Sequence, residues 1–470
     1  MIMEKMKGLT LEKIAQSCGG TYIGDEAFLG EEISGAVIDS RQVEDGFLFI
    51  PIKGKKVDGH DFIEAVFEKG ALAVLSEKPL DNPPGPYILV ESSEAAMKEI
   101  AAYYRRTLDI KVVGISGSVG KTSTKEMIAS VLEQKYRVLK TAGNFNNEIG
   151  LPLTIFRIRS SHEVAVLEMG ISDFGEMDRL SAMAYPDVEV ITNIGQCHLE
   201  YLGTRDGVLA AKTEMFAHMK EGGVAVLNGD DDKLLTVGLV NGKAPQFYGV
   251  EQESMVSGIR KSVYATDVEN LGFEGMKAKI HTPAGCFEAD ISIPGEHNVY
   301  NALAATAVGL ELGLSTEEIG AGIAAAKTIA GRTNFIRVNG LTVIDDCYNA
   351  NPMSMKTSIA TLSHAKGRSI AVLGDMGELG EDERAFHREV GTTVGEYKIH
   401  TLYCAGELAR EYAEGAREKN PSCKVFYFED VQEMTNSLLD YVEPGDSILV
   451  KASNSMHFST VVQALTEEAK

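Results

Sequence analysis

The sequence predicts an α/β protein of three domains around a mostly parallel sheet that carries a phosphate-binding loop. Three observations predict it. An apolar, β-branched run, Lys111-Val112-Val113-Gly114-Ile115, leads into the Gly-rich Ser116-Gly117-Ser118-Val119-Gly120-Lys121-Thr122-Ser123, and a helical pattern follows with Met127, Ile128, Val131 and Leu132 on one face. Residues 109–325 alternate apolar strands with helices, the rhythm of a parallel sheet covered on both faces. Residues 326–470 repeat that alternation as a second, Rossmann-like α/β unit, and residues 1–108 mix short strands with helices.

A chain of 470 residues is long enough for two to four domains, each with its own core. Its 44% hydrophobic and 24% charged content is that of an ordinary soluble globular protein. A net charge of −23 argues against nonspecific nucleic-acid binding and attraction to anionic membranes, so a phosphorylated ligand requires a locally basic pocket. Six cysteines (Cys18, Cys197, Cys286, Cys347, Cys404, Cys423) are scattered without a Cys-x-x-Cys pair, which fits reduced cytoplasmic thiols better than a disulfide frame or zinc site. The N-terminus lacks an apolar signal core and no apolar run can span a bilayer. A cytosolic protein with no membrane insertion is expected.

In the first part, the strand Ala36-Val37-Ile38 precedes Asp39-Ser40-Arg41, and Phe47 to Ile52 form a second strand closed by Lys53-Gly54. Asp58-Gly59-His60-Asp61 makes a turn, continued by an amphipathic helix through Phe62, Ala65 and Val66. Ala71 to Leu75 form another strand, and the Pro-rich 81–86 is a loop. Ser40, Arg41, Asp58 and His60 read equally as turn and cap chemistry or as a ligand site.

In the second part, the loop glycines let backbone N–H groups converge on an anion at the positive end of a helix. Lys121 can reach β- and γ-phosphates, and the Thr122 hydroxyl can ligate Mg²⁺. The strict pattern has glycine where Ile115 stands; Gly114 comes one residue early. The alternative is a Gly-rich connection with a solvated lysine. Asn144, Asn146 and Asn147 are either loop solvation or fixed amides facing a polar ligand. The strand from Val164 ends in Glu168-Met169-Gly170, and the strand from Val188 ends in Gly195-Gln196-Cys197-His198. Ligands of open α/β sheets bind beyond the carboxyl ends of strands, so Thr122, Glu168 and His198 point to a metal–nucleotide site. Lys212, in the next helix, reads as a surface lysine. The strand Val224 to Leu227 ends in Asn228-Gly229-Asp230, a β-rich stretch covers 245–293, and an alanine-rich helix carries Asn298 and Asn301 on one face, as a cap and a buried amide. In the third part, strands run near 342–345, 369–373, 401–404, 424–428 and 447–450; Leu373 to Leu379 and Lys451-Ala452-Ser453-Asn454 follow strand ends.

GSVGKTST, the strand ending EMG, NIGQCHLEYLG followed by AKTE, PGEHNVYNALAA and Gly331-Arg332 together resemble the ATP-dependent Mur ligases of bacterial cell-wall synthesis. TAGNFNNEIGLP, IDDCYNANPMSM and LGDMGELG resemble the branch that adds D-alanyl-D-alanine to a UDP-N-acetylmuramoyl-tripeptide. DSRQVEDGFLFIPIKGKKVDGHDF resembles that branch's uridine-nucleotide-binding domain. The resemblance covers essentially the whole chain. It implies an ATP-dependent amide ligation through an acyl phosphate, releasing ADP and phosphate, with UDP-N-acetylmuramoyl-tripeptide and D-Ala-D-Ala as small-molecule substrates and a monomer as the working unit.

The resemblance also implies roles. Lys121 and the loop amides from Ser116 to Ser123 hold the β- and γ-phosphates, and Thr122 and Glu168 bind a first Mg²⁺. Glu168, His198 and Lys212 hold a second; the matching lysine of the family is carbamylated, since an ammonium cannot ligate a metal. Asn298 and Asn301 meet the adenine, and Arg332 and Asp346 reach ATP when the domains close about a hinge near 325–332. Asn144, Asn146, Asn147, Asn349 and Asn351 lie near the peptide. Ser40, Arg41, Lys53, Asp58 and His60 lie near the uridine nucleotide. Two departures stand out: Lys451-Ala452-Ser453-Asn454 replaces the usual Lys-Gly-Ser-Arg, and Cys197 replaces the common alanine. The rival readings are a sister ligase adding the third amino acid or acting on folate, a non-catalytic nucleotide-binding homologue, and an ordinary P-loop ATPase. Asn349-Ala350-Asn351-Pro352 in place of Asp-Asn-Pro-Arg argues against the first, the retained Lys121, Glu168, His198 and Lys212 against the second, and the missing first glycine against the third.

Overall fold

Residues 4–253 and 258–467 are described by the computed structural model. Period-two alternation along the strands sets the layers. In the first sheet Phe47 and Phe49 enter one apolar cluster with Val43, Ile63 and Val66, while Leu48 and Ile50 enter another. In the central sheet Val113, Ile115, Val164, Val166, Val188 and Val190 face one cluster, and Val112, Ala165, Leu167 and Ile191 face the opposite one. In the last sheet Ile370, Val372, Tyr403 and Val450 oppose Ala371, Leu373, Leu402 and Leu449 in the same way. Strands buried on both faces are what parallel sheets covered by helices require.

The first sheet orders its five strands Thr21–Ile23, Tyr87–Leu89, Ala73–Ser76, Phe47–Phe49, Gly35–Val37; only the Thr21–Ile23 edge is antiparallel. The nine-stranded central sheet runs Gly285–Ile291, Met276–Thr282, Val263–Asn270, Gln246–Val250, Val224–Asn228, Val188–Ile191, Lys111–Ser116, Val164–Glu168, Val138–Lys140. Its first two pairings are antiparallel and the rest parallel. The six-stranded last sheet runs Asn334–Val338, Leu341–Asp345, Ser447–Lys451, Ser369–Gly374, Thr401–Ala405, Lys424–Phe428, antiparallel only at the first pair.

The strands Thr21–Ile23, Tyr87–Leu89, Val138–Lys140 and Asn334–Val338 were not expected. Three of them have only three residues, too few to display a period. The run Phe47 to Ile52 is strand only through Phe49, because Pro51 has no N–H for a ladder. His60 and Asp61 lie in a 3₁₀ turn, Gly59–Phe62, and the α-helix begins at Ile63. The helix carrying Lys212 ends at Thr213.

The seam near residue 108 is covered rather than open. One apolar cluster runs without a break from Met6 to Phe247. The helix Ser93–Thr107 bridges it: Tyr104 Oη donates to Ile158 O (2.8 Å), and the buried Arg105 donates to Ala184 O (2.9 Å) and Tyr185 O (3.1 Å). The central and last sheets meet more lightly, through Phe273 against Phe335 (5.2 Å), Glu274 with Arg337 (3.1 Å) and Asn270 with His364 (3.1 Å). Between the helix end at Ala325 and the strand start at Asn334 lies an Ile329–Arg332 bridge with Gly331 at φ +76°. No helix among the described residues is long and apolar enough to cross a membrane.

Candidate active site

The loop 116–123 joins the strand Lys111–Ser116 to the helix Lys121–Leu132. Two of its positions require glycine. Gly117 has φ +146°, and a Cβ there would fall 2.0 Å from Thr192 Oγ1; Gly120, at φ +83°, caps the helix. The end of the neighbouring strand pins the loop. Asn193 Oδ1 accepts from Val119 N (3.0 Å), Asn193 O accepts from Ser118 N (3.0 Å), and Thr192 Oγ1 donates to Val119 O (2.6 Å). Lys121 Nζ folds back onto Gly117 O (2.9 Å), and burial holds its ammonium below the ordinary lysine range. Ser116 Oγ is buried without a hydrogen-bond partner among the described residues.

Glu168 ends the next strand, 1% exposed. Its Oε1 accepts from Thr122 Oγ1 (3.1 Å) and Asn146 Nδ2 (2.9 Å). Its Oε2 is buried with no hydrogen bond among the described residues and stands 3.7 Å from Lys125 Nζ. A buried carboxylate oxygen without a donor, beside a hydroxyl, suits a divalent cation. Lys212 is 1% exposed, and its ammonium has no hydrogen bond or ion pair among the described residues. Burial, with Lys121 nearby, pushes it down to about 8. His198 sits at φ +51° and meets the last domain: its Nδ1 is 2.6 Å from Glu378 Oε2, off the line of an N–H bond. No three His, Cys, Asp or Glu side chains among the described residues gather as a metal site. A cation here would depend on the Glu168 carboxylate, the Thr122 hydroxyl and substrate oxygens, the oxygen ligands Mg²⁺ favours.

A cavity of about 340 Å³ opens beside the loop. Ser118 to Ser123 and Asn301 line it from the central domain, and Arg332, Asp346, Asn349 and Asn351 from the last. Arg332 stacks on Tyr348, 4.0 Å from the ring centre. Asp346 is held by Lys451 Nζ (2.6 Å), Ser358 Oγ (2.5 Å) and Thr333 N (2.9 Å). Burial alone would raise its carboxyl, but Lys451 above all keeps it below the ordinary carboxylate range. Lys451 also donates to Asn349 O (3.0 Å), so the first residue of the altered C-terminal segment braces the cavity wall.

Other expected residues have different surroundings. Asn298 is buried; its amide donates to Pro294 O (2.8 Å) and its Oδ1 accepts from Asn301, whose own Oδ1 accepts from Thr124 Oγ1 (2.7 Å). Only Asn301 of this chain of amides reaches the cavity. Asn147 caps the turn at Ile149 and Gly150, and Asn351 caps the helix Pro352–Leu362. Asn144 is exposed, and Asn349 Oδ1 accepts from Ala350 N (2.9 Å). In the first domain, Arg41 pairs with Asp39 (2.7 Å), Ser40 O accepts from Lys69, and Lys53 is exposed. Asp58 takes both His60 N (3.0 Å) and Nδ1 (2.7 Å), leaving His60 Nε2 buried and unpaired. None of these first-domain residues lines the cavity.

Sequence reasoning passed over Asn193, Tyr248, His297, Tyr300 and Lys451 as cavity residues. The strand-end rule reaches Asn193 and Lys451. His297, pushed by burial down to about 4 with Nδ1 unpaired, comes to the cavity through helix packing, which leaves no local signal.

Comparison with known proteins gives one consistent picture. Profiles for the Mur ligase family catalytic domain, the Mur ligase middle domain and the Mur ligase glutamate ligase domain match residues 32–113, 115–309 and 331–454. The UDP-N-acetylmuramoyl-tripeptide–D-alanyl-D-alanine ligase of Bacillus subtilis is 38% identical, covering 97% of this chain and 98% of its own. The Escherichia coli enzyme of the same name is 32% identical over 98% and 99%. Among solved structures, MurF from Acinetobacter baumannii superposes with a TM-score of 0.88 at 32% identity, covering 99% of this chain and all of its own. MurF ligase from Thermotoga maritima in complex with ADP gives 0.80 at 31%, over 93% and 97%.

Proposed function

The chain belongs to the Mur ligase family, and we propose that it joins D-alanyl-D-alanine to UDP-N-acetylmuramoyl-tripeptide at the expense of ATP. The observation that carries the chemistry is the single cavity walled by the phosphate-binding loop on one side and by Arg332, Asp346 and Asn349 on the other. The terminal carboxylate of the tripeptide attacks the γ-phosphorus of ATP; a P–O bond forms, and ADP leaves. The amine of D-Ala-D-Ala then attacks the acyl carbon, phosphate leaves, and the amine's proton is lost to solvent or phosphate.

Two anions must meet, so positioning and charge carry the rate. The loop amides and Lys121 receive the β- and γ-phosphates at the N-terminus of Lys121–Leu132. Arg332, pre-stacked on Tyr348, brings a guanidinium from the opposite wall. Asp346 and Lys451 keep that wall rigid. Mg²⁺, when bound, supplies charge neutralisation between triphosphate and carboxylate. Thr122, Glu168, His198 and a carbamylated Lys212 are the residues that would hold it, in two sites. Glu168 Oε2, which lacks a hydrogen bond, and the buried Lys212, which has no partner among the described residues, support that assignment. Asn301, held from behind by Asn298, meets the adenine, Asn146 sets Glu168, and Asn144, Asn147, Asn349 and Asn351 shape the loops facing the peptide. Ser40, Arg41, Lys53, Asp58 and His60 serve the uridine nucleotide, within domains bounded at 1–108, 109–325 and 326–470. The working unit is read as a monomer acting in the cytoplasm, where relatives of the same name make peptidoglycan precursors.

Phosphate release from ATP and Mg²⁺ should require both UDP-muramoyl-tripeptide and D-Ala-D-Ala, with the pentapeptide visible by mass spectrometry. Turnover with a dipeptide precursor and a free diamino acid instead would move the assignment to the sister ligase.

A further inference from the structure

The loop Gly374 to Gly380 of the last domain crosses to the central domain at one residue. Glu378 Oε2 stands 2.6 Å from His198 Nδ1, the shortest reach between the two domains' charged groups at this edge. That nitrogen is buried and makes no hydrogen bond among the described residues, so the Glu378 carboxylate beside it is the group placed to satisfy it. Both residues adopt left-handed backbone, His198 at φ +51° and Glu378 at φ +60°, a conformation non-glycine residues hold only where their surroundings impose it. The neighbouring backbones approach too: a Cβ on Gly380 would lie 3.9 Å from Glu200 N.

The loop is braced from behind. Ser453 Oγ accepts from Gly377 N (2.8 Å), Ser453 N donates to Asp375 O (3.0 Å), and His387 Nε2 accepts from Met376 N (3.0 Å). The altered segment 451–454 therefore supports the loop that presents Glu378. Glu378 Oε2 is within reach of Nδ1 but off its N–H line; a small turn of the ring or carboxylate completes a bond that fixes the tautomer and leaves the other nitrogen's lone pair available to a cation. His198 Nε2 has no partner among the described residues.

We infer that Glu378 is a positioning residue for His198: the last domain delivers the carboxylate that orients the imidazole, so His198 is competent for its cation only when the two domains meet. The inference rests on the reading of His198 as an Mg²⁺ residue, and on no other part of the ligation mechanism. It gives domain closure a chemical consequence at a residue that Arg332 and Asp346 do not touch.

The test compares the full chain with Glu378→Ala and Glu378→Gln. Mg²⁺ is titrated calorimetrically into the ADP-bound protein, ADP binding is measured without metal, and histidine-selective ¹⁵N spectra report the His198 tautomer, assigned with His198→Gln. The expected result is Nδ1–H at His198 in the parent, loss of that fixed tautomer in Glu378→Ala, and Mg²⁺ affinity weakened by about 10–100-fold, as for other partners of metal-bound histidines. Metal-free ADP binding stays within about two-fold, and Glu378→Gln, which keeps an acceptor oxygen, retains most of the affinity. Unchanged Mg²⁺ affinity and tautomer in Glu378→Ala overturn the inference. Equal weakening of metal-free ADP binding overturns it as well, because Glu378 would then act by docking the domain. These readouts need no turnover, so failure of the parent to form the pentapeptide would refute the ligation reading separately.

Discussion

Lys121 and Glu189 show how differently two ionisable side chains serve the same sheet. Lys121 has a backbone acceptor and a ligand to meet. Lys121→Ala should lower kcat/KM by about 10²–10³-fold or more while leaving the thermal midpoint nearly unchanged; steady-state phosphate release and thermal unfolding check it. Among the described residues, the Glu189 carboxyl accepts from Ser181 Oγ (3.2 Å), and its other oxygen is buried without a hydrogen bond. Burial pushes its carboxyl well above the ordinary carboxylate range. The folded chain therefore holds a proton that the unfolded chain releases. Its contribution is intact below the ordinary carboxylate pKa of about 4.3 and is lost as pH rises towards the folded value. Glu189→Gln should flatten that decline, measured as unfolding midpoints from about pH 5 to about pH 8. Cys197, whose thiol donates to Ser118 Oγ (3.1 Å), is a small buried residue beside the loop, and Cys197→Ala should leave turnover within about three-fold.

At the scale of elements, the phosphate loop and the last domain's C-terminal strand are the two pieces whose geometry admits little change. Gly117→Ala would put a methyl group against Thr192 and force a backbone that alanine rarely adopts. It should abolish nucleotide binding, read by calorimetry. Lys451→Ala would leave Asp346 buried without its cation, and breaking such a pair costs about 3–5 kcal/mol. The variant's thermal unfolding transition should therefore lie well below the parent's. The strands that sequence reasoning recovered, Lys111–Ser116, Val164–Glu168 and Ser369–Gly374 among them, bury every or nearly every residue and read as apolar runs. Most of those it missed, such as Tyr87–Leu89, are three residues long and are strands only because their neighbours offer a ladder.

Across the whole molecule, the three sheets are joined unequally. The first two share an apolar core from Met6 to Phe247, while the last touches the central one through scattered pairs and a segment, 326–333, that carries a single bridge. Closure should therefore move the last domain against the other two. The radius of gyration from small-angle scattering should fall when nucleotide and tripeptide are added, and an unchanged profile would count against the hinge. The sequence by itself determined the chemistry's vocabulary: GSVGKTST, EMG and the strand-end histidine are local patterns whose spacing forces a strand, a loop and a helix dipole. It also determined the layers, since alternation is written residue by residue. Only the tertiary structure decided which amides face the cavity and which merely cap helices, as Asn301 and Asn351 illustrate. It alone decided that Lys451 braces Asp346 and that Glu378 meets His198, because contacts between residues a hundred or more positions apart depend on packing that no local pattern encodes.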